Sequence, residues 1–415
     1  MPRWVQVLIL LSIVVPVYGG MHYYVYRRFL TAAGPLPPTW LWFTRVFLTA
    51  MMAGFFLVRF FRGASPHAAM VALYWLFAVW LGFLFYVFVL TLAAHLTAAA
   101  ARVCGYSTWA FLGSRPGLTA LAVVVAMALV VAGYGFREAR GAPRTTELEV
   151  PVKNLPSGMD GFSIVQFCDL HNGLVVGESQ LRRIVERINA LDPDLVVITG
   201  DLADESASDF GDVAPLLGEL RARHGVLAVT GNHDYYAGAE NVVRHAEAAG
   251  VRFLRNEQVS IGNGSSGRTP MPPDNEGLLV YGMEDPTARS LGGPWRPLEE
   301  VIGPEARTRP AILLRHQQIG LSQARALGLD LVLSGHTHGG QLWPFGLVVG
   351  LFQRHVHGLY QADNCRLYVS SGAGTWGPPM RVGAPPEIVR IRLRAALVDG
   401  AATGTVTGTS VSGNR

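Results

Sequence analysis

Cysteine is scarce. Three occur in 415 residues, Cys104, Cys168 and Cys365, far apart and without Cys-x-x-Cys spacing. That excludes a disulfide framework and a thiolate metal site, and leaves the redox compartment open. Charge is scarce too, at 15% of residues and a net +4. The arginines are dispersed, and no basic stripe with interleaved aromatics is present, so nucleic-acid binding is not expected. The long apolar stretches contain no Asp or Glu. A proton relay or ion pathway therefore lacks its signature, and a transporter reading is weakened.

What is abundant is apolar length. Half the residues are hydrophobic and the mean hydropathy is +0.28, with the excess lying before residue 136. Four stretches stand out, 4–26, 41–60, 68–96 and 118–134, against the roughly 20 apolar residues that cross a hydrocarbon core. Arg45 and Arg59 touch the second and would snorkel. Tyr23, Tyr24, Trp40, Trp42 and Trp109 lie near the ends, as an interfacial belt requires. A cleaved signal peptide is disfavoured, because Arg3 is the only charge before the first stretch and no small-x-small site follows. A soluble bundle is disfavoured because the stretches are apolar all round. Four spans are expected, in a transmembrane region 1–136 of a plasma- or inner-membrane protein. An even number puts Arg3, Arg62, Arg137, Arg140 and Arg144 on one side, against Arg27, Arg28, Arg102 and Arg115. By a small margin, the positive-inside rule favours a cytoplasmic C-terminal domain.

Residues 137–152 read as a linker, 153–395 as a soluble domain, and 396–415 as a disordered Gly/Thr/Ser/Ala tail. In the domain, apolar runs at 164–168, 195–199 and 226–230 alternate with helical patterns at 179–190, 213–223 and 239–249, which implies βαβ units. Further strands are expected at 278–282, 311–315 and 330–333, with 366–371 and 387–393 closing a second sheet; 262–277 reads as a hairpin tip. Ligands in such sheets bind beyond the carboxyl ends of strands. There stand Asp169 and His171, Asp201, Asn232-His233-Asp234, His316, and the pair His336 and His338 in Ser-Gly-His-Thr-His-Gly-Gly-Gln.

Seven of these, Asp169, His171, Asp201, Asn232, His316, His336 and His338, are too many ligands for one ion. They suit two ions sharing a carboxylate, a device that clamps a phosphoryl group and lowers the pKa of a water. Imidazole, carboxylate and amide without thiolate favour Mn, Fe or Zn over copper. Asp169 and Asp201 could instead cap loops, and Asn232 could be a turn residue. His355 and His357 are the substitutes for His316.

Asp-x-His, Gly-Asp, Gly-Asn-His-Asp, His and Gly-His-Thr-His, in this order, resemble the calcineurin-like metallophosphoesterase superfamily. Asp-Leu-His, Gly-His-Thr-His-Gly-Gly-Gln, Ser371–Arg381 and Pro386-Glu387-Ile388 are similar to its membrane-associated bacterial YkuE/YaeI-type branch. The resemblance covers about 151–393 and departs at His316, which stands in Arg-His-Gln-Gln rather than His-x-Pro. It implies an α/β fold, a four-layer sandwich of two mixed β-sheets flanked by helices. It also implies that Asp169, His171 and His338 hold one ion, and Asn232, His316 and His336 the other, with Asp201 bridging. His233 would protonate the leaving group, oriented by Asp234. Arg381 either touches the substrate phosphate or forms an ion pair; Trp343, Trp376, Tyr235 and Tyr236 either line the pocket or pack in the core. The reading is a membrane-anchored phosphoesterase that cleaves a phosphate mono- or diester by attack of metal-bound hydroxide. Its anchoring suggests a lipid or envelope substrate. The competing reading is a metal-binding sensor or scaffold without catalysis, which an intact His233 argues against.

Overall fold

Most apolar runs in the soluble part are short, rich in Val, Ile and Leu, and end in Gly, Asp or Ser, so they extend as strands and stop at turns. The computed structural model describes residues 3–61, 68–105, 115–204, 206–262 and 277–396; side chains of 3–11, 13, 59, 60, 115 and 116 are outside it. Most of the expected hairpin tip and tail, with Arg62 and Trp109, therefore lie outside the described residues.

Four helices come first: α1 (Arg3–Ala33), α2 (Pro38–Phe61), α3 (Ala68–Val103) and α4 (Arg115–Arg140). Then follow β1 (Arg144–Val152), β2 (Ser163–Phe167), α5 (Glu178–Asn189), β3 (Leu195–Thr199), α6 (Ala207–Val213), β4 (Val226–Val229), α7 (Asn232–Ala237), α8 (Ala239–Ala248), β5 (Val251–Phe253) and β6 (Glu257–Ile261). The chain continues through β7 (Leu278–Gly282), α9 (Thr287–Leu291), α10 (Leu298–Val301), β8 (Ala311–Leu314), α11 (Leu321–Ala326), β9 (Leu331–Ser334), α12 (Phe345–Phe352), β10 (Gly358–Ala362), β11 (Cys365–Val369) and β12 (Glu387–Ala395).

The strands form two six-stranded mixed sheets, β1-β12-β2-β3-β4-β5 and β10-β11-β9-β8-β7-β6. Side chains alternate across each strand, and both faces of both sheets are used. Ile164, Val197 and Val229 of the first sheet meet Val280, Ile312 and Leu333 of the second between the layers. Val165, Phe167 and Ile198 face Leu181, Ile184 and Ile188 of α5 on the outside. Leu279, Leu313 and Val332 face Leu298, Ile302 and Ala324 on the other outside. Buried on both faces, these strands read as unbroken apolar runs, as parallel strands do.

Four expectations are corrected. Among the described residues three helices, not four, are long and apolar enough to cross a membrane: Pro38–Val58, Ala68–Val103 and Gly117–Arg140. Much of the stretch 4–26 has no described side chains, and α1 carries His22, Arg27 and Arg28 toward its end. Three spans among the described residues, an odd number, do not put the two ends of this region on one side. The linker shrinks to 141–143, because the charged alternation of 144–152 is the edge strand β1, whose Glu147 and Glu149 face Arg390, Arg392 and Arg394. β12 joins the first sheet rather than closing the second, parallel to β1 and antiparallel to β2. The helix expected over 213–223 is a 3₁₀ segment, Ala214–Glu219, with Pro215 unable to donate and Gly218 a poor helix former.

Candidate metal centre

Parallel strands β2, β3 and β4 end at one edge of the first sheet, and β8 and β9 end at the matching edge of the second. The next residues of each turn toward the seam. Asp169, His171, Asp201, His336 and His338 have φ between 49° and 78°, a left-handed region costing about 1–3 kcal/mol per non-glycine residue. Neighbouring loops hold it: the amide of Asp169 donates to Gly200 O (3.0 Å), that of His171 to Asp201 O (3.1 Å), and that of Gly335 to His316 O (3.0 Å). Gly231 is required by proximity, since a Cβ there would collide with the Asp201 carboxylate.

The seven expected ligand residues are brought together. His171 Nε2 lies 2.9 Å from His338 Nε2, 3.5 Å from Asp201 Oδ2 and 4.0 Å from Asp169 Oδ1. His338 Nε2 lies 3.4 Å from Asp169 Oδ1, and His316 Nε2 lies 3.0 Å from Asp201 Oδ2. His336 completes the second lobe, with Nδ1 2.9 Å from Asn232 Oδ1 and its ring 5.2 Å from that of His316. Asp201 thus stands between two lobes. Atoms of Asp169, His171 and His338, and of Asp169, Asp201 and His316, converge closely enough to hold an ion. His355, beside Tyr360, and His357, paired with Glu387, join neither lobe.

The donor set fits a cation. His316 Nδ1 must carry its proton, because its partner at 2.8 Å is the carbonyl of Thr199. In the neutral ring Nε2 is then a lone pair, buried, without a hydrogen bond, and aimed at a carboxylate oxygen. His171 sets its Nδ1 3.4 Å from Asp204 Oδ1 and its Nε2 inside the cluster, 2.9 Å from His338 Nε2. Lone pair facing carboxylate in a buried site demands a proton or a metal ion. Without metal the demand shows as protonation. Burial would depress His316, but Asp201 and Asp169 hold it well above its ordinary value. For Asp201, burial is outweighed by His316 and His233, which hold it well below the usual carboxylate range. Burial pushes His336 down to about 4. His338 is the exception in its hydrogen bonding: Arg381 donates to its Nδ1 at 3.1 Å, so binding an ion at Nε2 requires that contact to open.

His233 stands at the mouth, its ring 4.6 Å from that of His171. Its amide donates to Asp201 Oδ1 at 2.8 Å, and its Nδ1 lies 3.1 Å from the carbonyl and 3.2 Å from Oδ1 of Asp204. Burial would lower it, but the charges of Asp201 and Asp204 push it up to about 9. Asp204, not Asp234, is therefore the residue against His233 Nδ1, through its carbonyl and its carboxylate, and the carboxylate lies beside His171 as well. Asp234 instead accepts the amides of Gly231 (2.8 Å), Asp201 (3.0 Å) and Ala203 (3.0 Å) and clamps the loops. The Asp201-Leu202-Ala203-Asp204 spacing was the available signal for Asp204. Trp376 and Tyr236 flank His233, with rings at 5.8 and 5.3 Å. Tyr235 turns its hydroxyl to Glu284, and Trp343 lies on the surface.

The expected phosphate contact of Arg381 meets a different setting. The side chain is fully buried, and its guanidinium donates to the carbonyls of Ser371 (2.7 Å), Gly374 (3.0 Å), His338 (3.1 Å) and Ala384 (3.3 Å). It ties the 371–374 turn to the loop of His338. Arg381→Ala strands these carbonyls and should cost about 3–5 kcal/mol, the range for breaking a buried charged network. Thermal unfolding followed by tryptophan fluorescence checks this.

Residues 162–340 match the calcineurin-like phosphoesterase family model. A Danio rerio protein described as a transmembrane protein with metallophosphoesterase domain is 33% identical over 374 residues, covering 88% of this chain and 83% of that one. A Bos taurus protein of the same description is 37% identical, covering 67% and 62%. The uncharacterized metallophosphoesterase YkuE of Bacillus subtilis is 30% identical, covering 65% and 94%. The chain belongs to the calcineurin-like metallophosphoesterase family, whose members are metal-dependent phosphoester hydrolases.

Proposed function

We propose that the chain is a membrane-anchored phosphoesterase whose cluster holds two metal ions and hydrolyses a phosphate mono- or diester. Asp169, His171 and His338 would hold one ion and Asn232, His316 and His336 the other, with Asp201 within reach of both. The carrying observation is the buried His316 Nε2, 3.0 Å from Asp201 Oδ2, on a ring whose Nδ1 is committed to the carbonyl of Thr199. Ions there, Mn, Fe or Zn by the donor set, supply Lewis acidity toward phosphoryl oxygens and lower the pKa of a water. The protein's own residues do the rest. His233, its Nδ1 fixed by Asp204, turns its other nitrogen to the mouth and hands a proton to the leaving oxygen. Asp234 and the left-handed turns keep the ligands aimed while substrate comes and goes.

Full-length protein in nanodiscs, stripped of metal and reloaded with Mn, Fe or Zn, should cleave p-nitrophenyl phosphate or bis-p-nitrophenyl phosphate only when reloaded. The better substrate separates monoesterase from diesterase, and metal-independent turnover would overturn the reading. Asp204→Asn keeps shape but loses the charge that orients two histidines. Turnover should fall about 10–100-fold, as for carboxylates behind metal-site histidines, measured as kcat on the same ester.

A further inference from the structure

The domain face that meets the apolar helices carries a helix that the described residues leave largely exposed. α12, Phe-Gly-Leu-Val-Val-Gly-Leu-Phe, has no polar side chain and no buried residue. Leu347 is 70% exposed, Leu351 80% and Phe352 82%; Trp343, just before it, is 63% exposed. A contiguous apolar surface of this kind marks an interaction site. Its place indicates with what. The ring of Phe345 meets that of Phe85, at the midpoint of α3, edge-on at 6.3 Å. Leu342, Met380 and Val382 join one apolar cluster with Tyr86 and Val87 of α3 and Ala128 and Ala132 of α4. Gly82 of α3 lets Met380 approach where a side chain would collide. On α4, Leu129 and Val130 remain outward-facing and exposed. The surface of α12 therefore continues that of helices apolar enough to span a membrane. It also adjoins the centre: α12 follows closely on Gln341, whose side chain bonds the carbonyl of Trp376, and Trp376 flanks His233.

We propose that α12, with Trp343 and Trp376, is seated in the headgroup–acyl boundary of the bilayer, and that the ester cleaved belongs to a lipid. The substrate half rests on the phosphoesterase reading above; the docking half does not. An uncharged apolar helix with tryptophans at its edge suits that boundary. It brings the mouth at His233 to the level of lipid phosphates. Water then adds across the P–O bond, leaving an alcohol and a phosphate, or a phosphomonoester if a diester is cut, with the leaving oxygen taking its proton from His233.

The test uses full-length protein in phosphatidylcholine nanodiscs containing phosphatidic acid or phosphatidylglycerol. Leu351→Cys, in a Cys104→Ala background, carries an environment-sensitive dye. The inference expects quenching by a nitroxide lipid labelled near its headgroup and protection from aqueous iodide. Quenching by iodide alone overturns the docking, as does protection from both quenchers with the size of a dimer, which would mean a second copy covers α12. Leu351→Glu/Phe352→Glu should lower turnover of one of the two lipids about tenfold or more, with p-nitrophenyl ester turnover within about twofold, since only interfacial seating is lost. Cleavage of p-nitrophenyl esters but of neither lipid overturns the substrate half alone. If no ester is cleaved with any metal, the phosphoesterase reading fails and the substrate half with it, while the dye still decides the docking.

Discussion

Asp201→Asn should lower metal-dependent hydrolysis by about 10³-fold or more, equivalent to roughly 4 kcal/mol of barrier. The reason is its position. One carboxylate oxygen lies 3.5 Å from His171 and 3.0 Å from His316, while the other accepts the amide of His233 at 2.8 Å. An asparagine fills the same space, yet it removes the carboxylate charge that lies against both His171 and His316. The bound metal should fall below the wild-type count, read by elemental analysis of full-length protein beside kcat. Unchanged turnover with full metal content would remove Asp201 from the centre.

His233→Ala should leave metal content intact and lower kcat about 10²–10⁴-fold, the range of general acid catalysis. The loss should depend on the ester: smaller for p-nitrophenyl esters, whose leaving group needs little help, and larger for alkyl esters. His233 is suited to this because Asp204 fixes its Nδ1 and, with Asp201, holds its pKa raised to about 9 in the absence of metal. A general acid must carry the proton it donates, so the wild-type rate on alkyl esters should fall on the alkaline side. Equal losses on both classes of ester would assign His233 to ligand positioning instead.

The two mutants separate binding of the ions from proton transfer, and the sequence made both targets visible. Each of the seven expected ligand residues follows a short apolar run, and parallel strands end at one edge, so the gathering was legible from pattern alone. Less legible was anything decided by how loops cross. Asp234 neighbours His233 in sequence, but the tight turn at Gly231 sends its carboxylate to backbone amides, and Asp204 from another loop takes the histidine. Arg381 could equally touch phosphate or form an ion pair by its sequence, yet carbonyls of a returning loop surround it. β1 was hidden because an edge strand paired on one side can be charged, and its glutamates find their arginines only across β12. α12 is too short and too apolar for periodicity to separate it from a core strand; only its exposure tells the two apart.

Metal stoichiometry of full-length protein after chelation and reloading, counted as turnover returns, decides how many ions the cluster holds. Two ions per chain are expected, with turnover of p-nitrophenyl esters rising as the second binds and one ion lost in Asp201→Asn. Full turnover with a single ion, or with none, would contradict the two-ion centre.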